Sequence, residues 1–182
     1  MIVWAASSTP DCERVRDSLL SQPVLAISSL VLVVLGCWLL WTWRDLPTND
    51  RRAASVYAVL LAFAGIGSAD FHGPRTSLAQ FLHDVPIALL ILWAVIVPVW
   101  RLLRRHPVLH SGSRNLILAA IVIMVLAVAS YWAGRTSSPW CDPDSLVQPH
   151  AAWHVLVAAA LALWGAALWP TKTSRAREEV AS

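Results

Sequence analysis

The sequence Gln148-Pro149-His150-Ala151-Ala152-Trp153-His154 begins the last long apolar segment of the chain, which continues to residue 169. Its two histidines are four positions apart, so on a helix they lie on the same face, one turn from each other. An apolar run of this length is typical of a helix that spans a membrane. Polar groups at that depth are costly and usually have partners, so we expect partners for these imidazoles elsewhere in the chain.

The composition is that of an integral membrane protein. Hydrophobic residues make up 57% of the 182 residues and charged residues 14%, against about a quarter charged in soluble domains. We predict a single membrane-embedded domain over residues 1–170 and a disordered cytoplasmic tail over residues 171–182. Residues 1–21 carry several charges and do not resemble a cleaved signal peptide. Clustered basic residues with interleaved aromatics are missing from the sequence, which argues against nucleic-acid binding.

Five long apolar segments predict an all-α bundle of about five transmembrane helices. The predicted helices cover residues 23–43, 53–71, 77–100, 116–132 and 150–169. Tryptophans lie at the ends of these segments, as expected of side chains at the membrane interface. Gly65 and Gly67 on the second segment suit close packing against a neighbouring helix.

The distribution of Lys and Arg predicts the orientation in the membrane. Four of the 14 basic residues fall on the side that holds the N-terminus, and the other ten fall on the side that holds the C-terminus. The positive-inside rule therefore predicts an N-terminus outside and a C-terminus in the cytoplasm. In a bacterium this would be a multi-pass protein of the cytoplasmic membrane.

Polar residues collect at the outer ends of three predicted helices. His72 ends the second helix, Asp84 lies near the start of the third, and His150 and His154 begin the fifth. Ser68 lies one turn from His72 on the same helix face. Three neutral imidazoles with an open fourth position are a common catalytic zinc site. We therefore predict that His72, His150 and His154 bind Zn²⁺ on the extracytoplasmic side.

The other polar residues of this group have predicted roles beside the metal. Asp84 could act as a general base on a metal-bound water or orient a metal ligand. Ser68 could donate a hydrogen bond to an oxyanion. Asp70 and His83 are expected to lie at the rim or to form hydrogen bonds rather than to bind the metal. An isolated pair of histidines four apart is often only a core feature; the third histidine and the carboxylate favour a metal site.

The sequence leaves open whether two of the three cysteines form a disulfide. Cys12 and Cys141 both fall on the predicted outer side, where a disulfide can persist, and the alternative is two free thiols. Cys37 lies in the middle of the first apolar segment and is typical of a small core residue.

The motifs of this chain resemble those of the alkaline ceramidase family, which belongs to a superfamily of membrane hydrolases that includes adiponectin-receptor-like proteins. The resemblance covers most of the chain. It lies in Gly65-Ile66-Gly67-Ser68 with Phe71-His72, Gln80 with His83-Asp84, His150 to His154, Asp11-Cys12-Glu13, Gln22-Pro23 and Cys141-Asp142-Pro143.

The resemblance implies a zinc-dependent amidohydrolase that cleaves ceramide or a related N-acyl lipid of the membrane, a part of sphingolipid metabolism. Zinc would be held by the three histidines, with Asp84 and Ser68 assisting the attack of water on the amide carbonyl. It also implies a Cys12–Cys141 disulfide. Two features depart from the family: five predicted helices instead of seven, and Val15 where animal members have an Asn of a calcium site. The second argues against calcium at Asp11 and Glu13.

Other functions remain open at this level. The protein could hydrolyse another lipid, either an ester or a different N-acyl amide. It could instead be a non-catalytic lipid-binding receptor with a structural zinc. A transporter is less favoured, because the first and fourth apolar segments carry few polar residues that could continue a path across the membrane. The sequence makes no prediction of the oligomeric state.

Overall fold

Five long helices form the protein in the computed structural model, which describes residues 10–103 and 113–170. All five are long and apolar enough to cross a membrane, so the predicted all-α membrane bundle is confirmed. The predicted tail at residues 171–182 lies outside the described residues. The helices are α1 (Pro23–Thr42), α2 (Thr48–His72), α3 (Ala79–Leu103), α4 (Ser113–Ala133) and α5 (Pro149–Leu168).

The helix boundaries follow local chemistry as well as hydrophobicity. Helices α1 and α5 begin at Pro23 and Pro149, where the missing N–H and fixed φ of proline suit a first helical position. Helix α2 begins at Thr48, five residues before the predicted start at residue 53. Its first turns are charged, and Asp50 there is favourable beside the positive end of the helix dipole. An apolar run alone therefore underestimates the length of this helix.

The helices are arranged in an open arc. Helix α1 packs against α2 and α5, α2 packs against α3, and α4 packs against α5. The order across the arc is therefore α3, α2, α1, α5, α4. Among the described residues, α3 and α4 have at most marginal contact. A seam is left between these two helices on the side of the bundle that faces the surrounding membrane.

Close approach of α2 and α3 depends on one glycine. A Cβ atom at Gly67 would lie 1.7 Å from the carbonyl oxygen of Leu82, so no larger residue fits without movement of a backbone. This contact lies near the end of α2 at His72 and the start of α3. Small residues at such positions let membrane helices approach closely. The packing therefore brings the first turns of α3 beside the last turns of α2.

A polar and aromatic cluster joins the helices at the other end of the bundle. The buried rings of Trp43, Tyr57 and Trp169 contact one another with centroids 5.3–6.2 Å apart. Buried Arg101 donates to the carbonyl oxygen of Leu168 at 2.7 Å and to the Asp50 carboxylate at 2.5 Å. Charge-assisted bonds of this kind join α2, α3 and α5, so the opposite ends of these helices are held at a defined spacing.

Candidate metal centre

The three predicted histidine ligands lie together in the structure. His72 is the last residue of α2, and His150 and His154 lie in the first two turns of α5. All three side chains are buried. One ring nitrogen from each lies within 4.8 Å of the others, so the three can share one metal ion. We call these three residues the histidine cluster.

The Nδ1 atom of His72 is held by Gln22, which precedes α1. The Gln22 carboxamide donates from Nε2 to the Glu13 carbonyl oxygen at 2.8 Å, which turns its Oε1 toward His72. That oxygen lies 3.0 Å from His72 Nδ1 and can only accept, so Nδ1 carries the proton. The unprotonated Nε2 of His72 is buried and has no hydrogen-bond partner. This is the tautomer that presents a free lone pair to a metal.

Two serines of α1 set the orientation of His154. The Ser28 hydroxyl donates to the Leu25 carbonyl oxygen at 3.0 Å, and its oxygen lies 2.8 Å from His154 Nδ1. Since that hydroxyl proton is already used, Ser28 accepts from the ring and Nδ1 carries the proton. The Ser29 hydroxyl also donates to the Leu25 carbonyl oxygen, at 2.8 Å. His154 therefore presents Nε2 to the histidine cluster.

Asp11 is the charged partner of His150. Its Oδ1 lies 3.0 Å from His150 Nδ1 and 3.0 Å from an Arg135 guanidinium nitrogen. The ring N–H is bent away from the oxygen, so the contact with His150 is electrostatic rather than a well-formed hydrogen bond. Burial raises the pKa of the Asp11 carboxyl, but His150, His72 and Arg135 together outweigh this and hold the pKa below its usual value. Asp11 is therefore an anion beside the imidazole.

The donor set fits a zinc-type ion. Each imidazole has its Nδ1 against a protein oxygen and its Nε2 left for the cluster, which is the common arrangement of metal-binding histidines. Imidazole nitrogens suit Zn²⁺, and they also suit copper, iron and nickel. The described residues provide three ligands of this kind, so a fourth coordination position stays open. Sets of three protein ligands are typical of catalytic zinc rather than structural zinc.

Ser68 lies directly beside the histidine cluster. Its side chain is buried, with its oxygen 2.8 Å from Ser29 Oγ and 3.4 Å from His154 Nε2. The Ser29 proton is directed to a carbonyl, so Ser68 can donate to Ser29 or rotate toward a bound group. The predicted position next to the metal ligands is therefore the observed one, and its predicted role remains a prediction.

Asp84 lies outside the histidine cluster. Its side chain is 60% exposed, and its Oδ1 lies 2.7 Å from Nδ1 of His83. The His83 ring is closer to the centre: its centroid lies 6.2 Å from that of His72 and 4.8 Å from that of Phe71. Asp70 also faces the rim, where it accepts from the backbone and hydroxyl of Thr76. The residue between Asp84 and the cluster is thus His83.

An N-terminal arm, residues 10–22, covers the histidine cluster. The Cys12–Cys141 disulfide joins this arm to the connection before α5. The Cys12 N–H donates to the Gly134 carbonyl oxygen at 2.8 Å, beside the start of α5. Both carboxylate oxygens of Glu13 accept from the first N–H groups of α1, at 2.9 Å each. Glu13 therefore acts as the anionic cap of α1.

An apolar cavity extends from the histidine cluster into the bundle. Its volume is about 410 Å³, and all five helices line it. Ser68, His83 and His154 lie at one end of it, and Trp164 lies ten residues further along α5, which is about 15 Å at 1.5 Å per residue. Ile91 and Met124 line it on either side of the seam between α3 and α4. The remaining lining is almost wholly aliphatic, so the cavity suits an apolar ligand.

Sequence reasoning missed the side chains that orient the histidines. The sequence argues only against calcium at Asp11 and Glu13, and it presents Gln22 only as part of a motif. Ser28 and Ser29 carried a usable signal, because they are adjacent hydroxyls in an otherwise apolar stretch of α1. A buried polar residue in a membrane helix requires a partner, and here the partners are His154 and Ser68.

Comparison of the chain with protein-family models, curated proteins and solved structures found no match. The resemblance to alkaline ceramidases therefore remains a prediction from sequence motifs. What supports a function is the chemistry of the histidine cluster and of the cavity beside it.

Proposed function

We propose that this protein is a zinc-dependent membrane hydrolase that cleaves the amide bond of ceramide or a related N-acyl lipid, giving a fatty acid and an amine. The observation that carries the proposal is the position of the histidine cluster at the end of an apolar cavity. A metal held by the cluster would share a boundary with the apolar cavity, formed by Ser68 and His154.

The chemistry of the site supports hydrolysis. His72, His150 and His154 would hold the ion, which when bound would polarise a carbonyl and lower the pKa of a water molecule. Ser68 is placed to donate a hydrogen bond to the negative charge that develops on the carbonyl oxygen. The N-terminal arm covers the cluster and limits the access of bulk water, which strengthens these interactions.

The cavity supports a lipid as substrate. An acyl chain that enters between α3 and α4 would lie along α5, with its carbonyl end at Ser68 and His154. The seam between α3 and α4 offers a route from the membrane without passage through water. Because the chain moves from the membrane and not from water, its transfer into an apolar cavity gains little hydrophobic free energy. Packing contacts in the cavity would therefore decide which chains bind.

We further propose that the site faces the extracytoplasmic side. The charge distribution favours this orientation by the positive-inside rule. The Cys12–Cys141 disulfide lies on the same side as the histidine cluster, and disulfides persist in oxidising compartments. Labelling of an introduced cysteine at an arm position with a membrane-impermeant reagent in intact cells tests this orientation.

The central test combines metal analysis with a lipid panel. Purified protein should contain about one zinc per chain and release fatty acid from N-acyl lipids, measured by mass spectrometry. His150→Ala should lose both the metal and the activity, whereas Val155→Ala, at an exposed position next to His154, should retain both. Ester lipids in the same panel separate an amidase from a lipase. Zinc in the wild type without hydrolysis of any lipid would favour a receptor instead.

A further inference from the structure

We propose that His83, oriented by Asp84, is the catalytic residue that accepts and returns the proton during hydrolysis, in place of Asp84 itself. This inference rests on the proposed function, and it names a catalytic group of the same site. It is carried by where the two side chains lie, and by which of them can reach a substrate.

His83 lies where a substrate bound next to the histidine cluster would contact it. His83 lines the apolar cavity together with Ser68 and His154, at the end where the carbonyl of a bound acyl group would lie. Its ring packs against Phe71 and lies 6.2 Å, centroid to centroid, from the ring of His72. The side chain is only 24% exposed, so it is held between the histidine cluster and the cavity. A group bound next to the cluster would contact it.

The position of Asp84 excludes it from the same contact. Asp84 is not among the cavity-lining residues, and 60% of its side chain is exposed. Adjacent residues on a helix point about 100° apart, and here His83 faces the cavity while Asp84 does not. The Asp84 carboxylate instead turns toward His83, with Oδ1 2.7 Å from Nδ1. Its contact is with the imidazole.

The contact between the two residues determines which ring nitrogen of His83 is basic. An ionised carboxylate only accepts hydrogen bonds, so the proton of neutral His83 lies on Nδ1, toward Asp84. Nε2 then carries the lone pair. A carboxylate that holds a histidine in this way fixes its tautomer and stabilises the imidazolium that forms when Nε2 takes a proton. Asp84 is therefore a positioning residue.

One histidine, His83, both takes and returns the proton, so the protons of the reaction balance. As the water oxygen bonds to the acyl carbon, His83 Nε2 takes one proton from that water. The C–N bond then breaks, with its electron pair remaining on nitrogen, and the proton on Nε2 passes to the leaving amine. The products are a fatty acid and an amine, and neutral His83 is restored. No oxidant, reductant or co-reactant is needed.

Paired variants of the purified, zinc-loaded protein test this assignment. His83→Ala should retain zinc and its melting temperature but hydrolyse an N-acyl lipid about 10²- to 10⁴-fold more slowly, the usual contribution of a general acid–base residue. Asp84→Asn can still accept from Nδ1, but its amide can also turn an N–H toward that nitrogen and change the tautomer. It should therefore lose between about tenfold, as for residues that orient an imidazole, and about 10⁴-fold, as in a Ser-His-Asp triad. Phe81→Ala, an exposed neighbour on α3 that does not line the cavity, is the matched control.

Added imidazole distinguishes proton transfer from a purely structural role. At a concentration that leaves wild-type activity unchanged, it should partly restore turnover in His83→Ala and have no effect in Asp84→Asn. Near wild-type turnover in His83→Ala, with a severe loss in Asp84→Asn, would overturn the assignment and make Asp84 the base. A wild-type protein that holds zinc and hydrolyses nothing would instead refute the proposed function, and this assignment with it.

Discussion

At the scale of single residues, the candidate metal site depends on side chains outside the histidine cluster. Arg135 illustrates this: it binds Asp11 Oδ1 at 3.0 Å, and its guanidinium lies 5.0 Å from the centroid of the Tyr131 ring. Asp11 in turn faces His150 Nδ1. Arg135 therefore holds the carboxylate that orients a candidate ligand, although it lies two contacts from the metal.

Arg135→Gln should weaken zinc binding without loss of the fold. Loss of Asp11 itself should lower zinc affinity about 10- to 100-fold, as is typical for partners of ligating histidines, and Arg135→Gln should lower it by a smaller factor. The measurement is zinc competition with a chelator. Arg14→Gln is the matched control, because it breaks an exposed ion pair with Asp144 between the same two segments, worth at most about 1 kcal/mol. An equal loss of zinc affinity in the two variants would show that zinc binding depends on docking of the arm and not on the contact of Arg135 with Asp11.

At the scale of elements, the N-terminal arm is as much part of the site as the helices. The disulfide fixes Cys12 next to Asp11, and so fixes the carboxylate against His150. Its loop spans 129 residues, and removal of a disulfide from a small secreted domain typically costs about 2–5 kcal/mol. The arm has no regular secondary structure of its own to replace that constraint.

Cys12→Ser with Cys141→Ser should lower both the melting temperature and the zinc affinity, because the arm and Asp11 lose their fixed position. Circular dichroism should show unchanged helix content, since the five helices do not depend on the bond. Cys37→Ser, which removes the remaining cysteine, is the control and should change neither quantity. Unaltered zinc affinity in the double variant would show that the other arm contacts alone place Asp11.

How much the sequence predicts differs between elements and contacts. The helices follow from runs of apolar residues. Helix α2 departs most from its predicted bounds, because its charged first turns do not resemble a membrane segment. The histidine cluster can be predicted from the depth of each residue in the membrane, since His72 and His150 lie at the same end of antiparallel helices. The contact of Ser28 with His154, and the direction of His83 toward the cavity, depend on the rotation of each helix about its axis. Apolar patterning hardly specifies that rotation when a helix is hydrophobic on every side.

Packing of α2 against α3 sets where His83 lies. A Cβ atom at Gly67 would meet the Leu82 carbonyl oxygen at 1.7 Å, and His83 is the next residue. Gly67→Ala should therefore push α3 outward, lower stability by about 1–3 kcal/mol as overpacking does, and reduce turnover. Ile66→Ala, on the exposed neighbouring position, should leave both unchanged. Thermal unfolding and lipid hydrolysis measure the two effects, and a Gly67→Ala protein as stable and active as the wild type would contradict this account.

At the scale of the whole molecule, the five helices form an open arc and not a closed bundle, and the cavity lies within this arc. The cavity is bounded by α1, α2 and α5 on the inside and by α3 and α4 at its margins, and the seam between the last two opens it to the membrane. The polar cluster around Arg101 holds the opposite ends of α2, α3 and α5. Under the proposed function, the bundle would stay fixed at that end while an acyl chain entered between α3 and α4.

The length of this cavity should determine which acyl chains are hydrolysed. Ala160 lines it six residues beyond His154, about 9 Å along α5. Ala160→Phe should shorten the cavity, so that hydrolysis of long-chain N-acyl lipids falls at least about tenfold relative to short-chain ones, since one methylene too many in an apolar pocket costs about 1–3 kcal/mol. Val155→Phe, on the exposed face of the same helix, should not change this ratio. The ratio is measured by competition between two chain lengths in one vesicle preparation, and because both substrates meet the same enzyme it is independent of zinc loading. An equal decrease for both chain lengths would place the acyl chain outside this cavity.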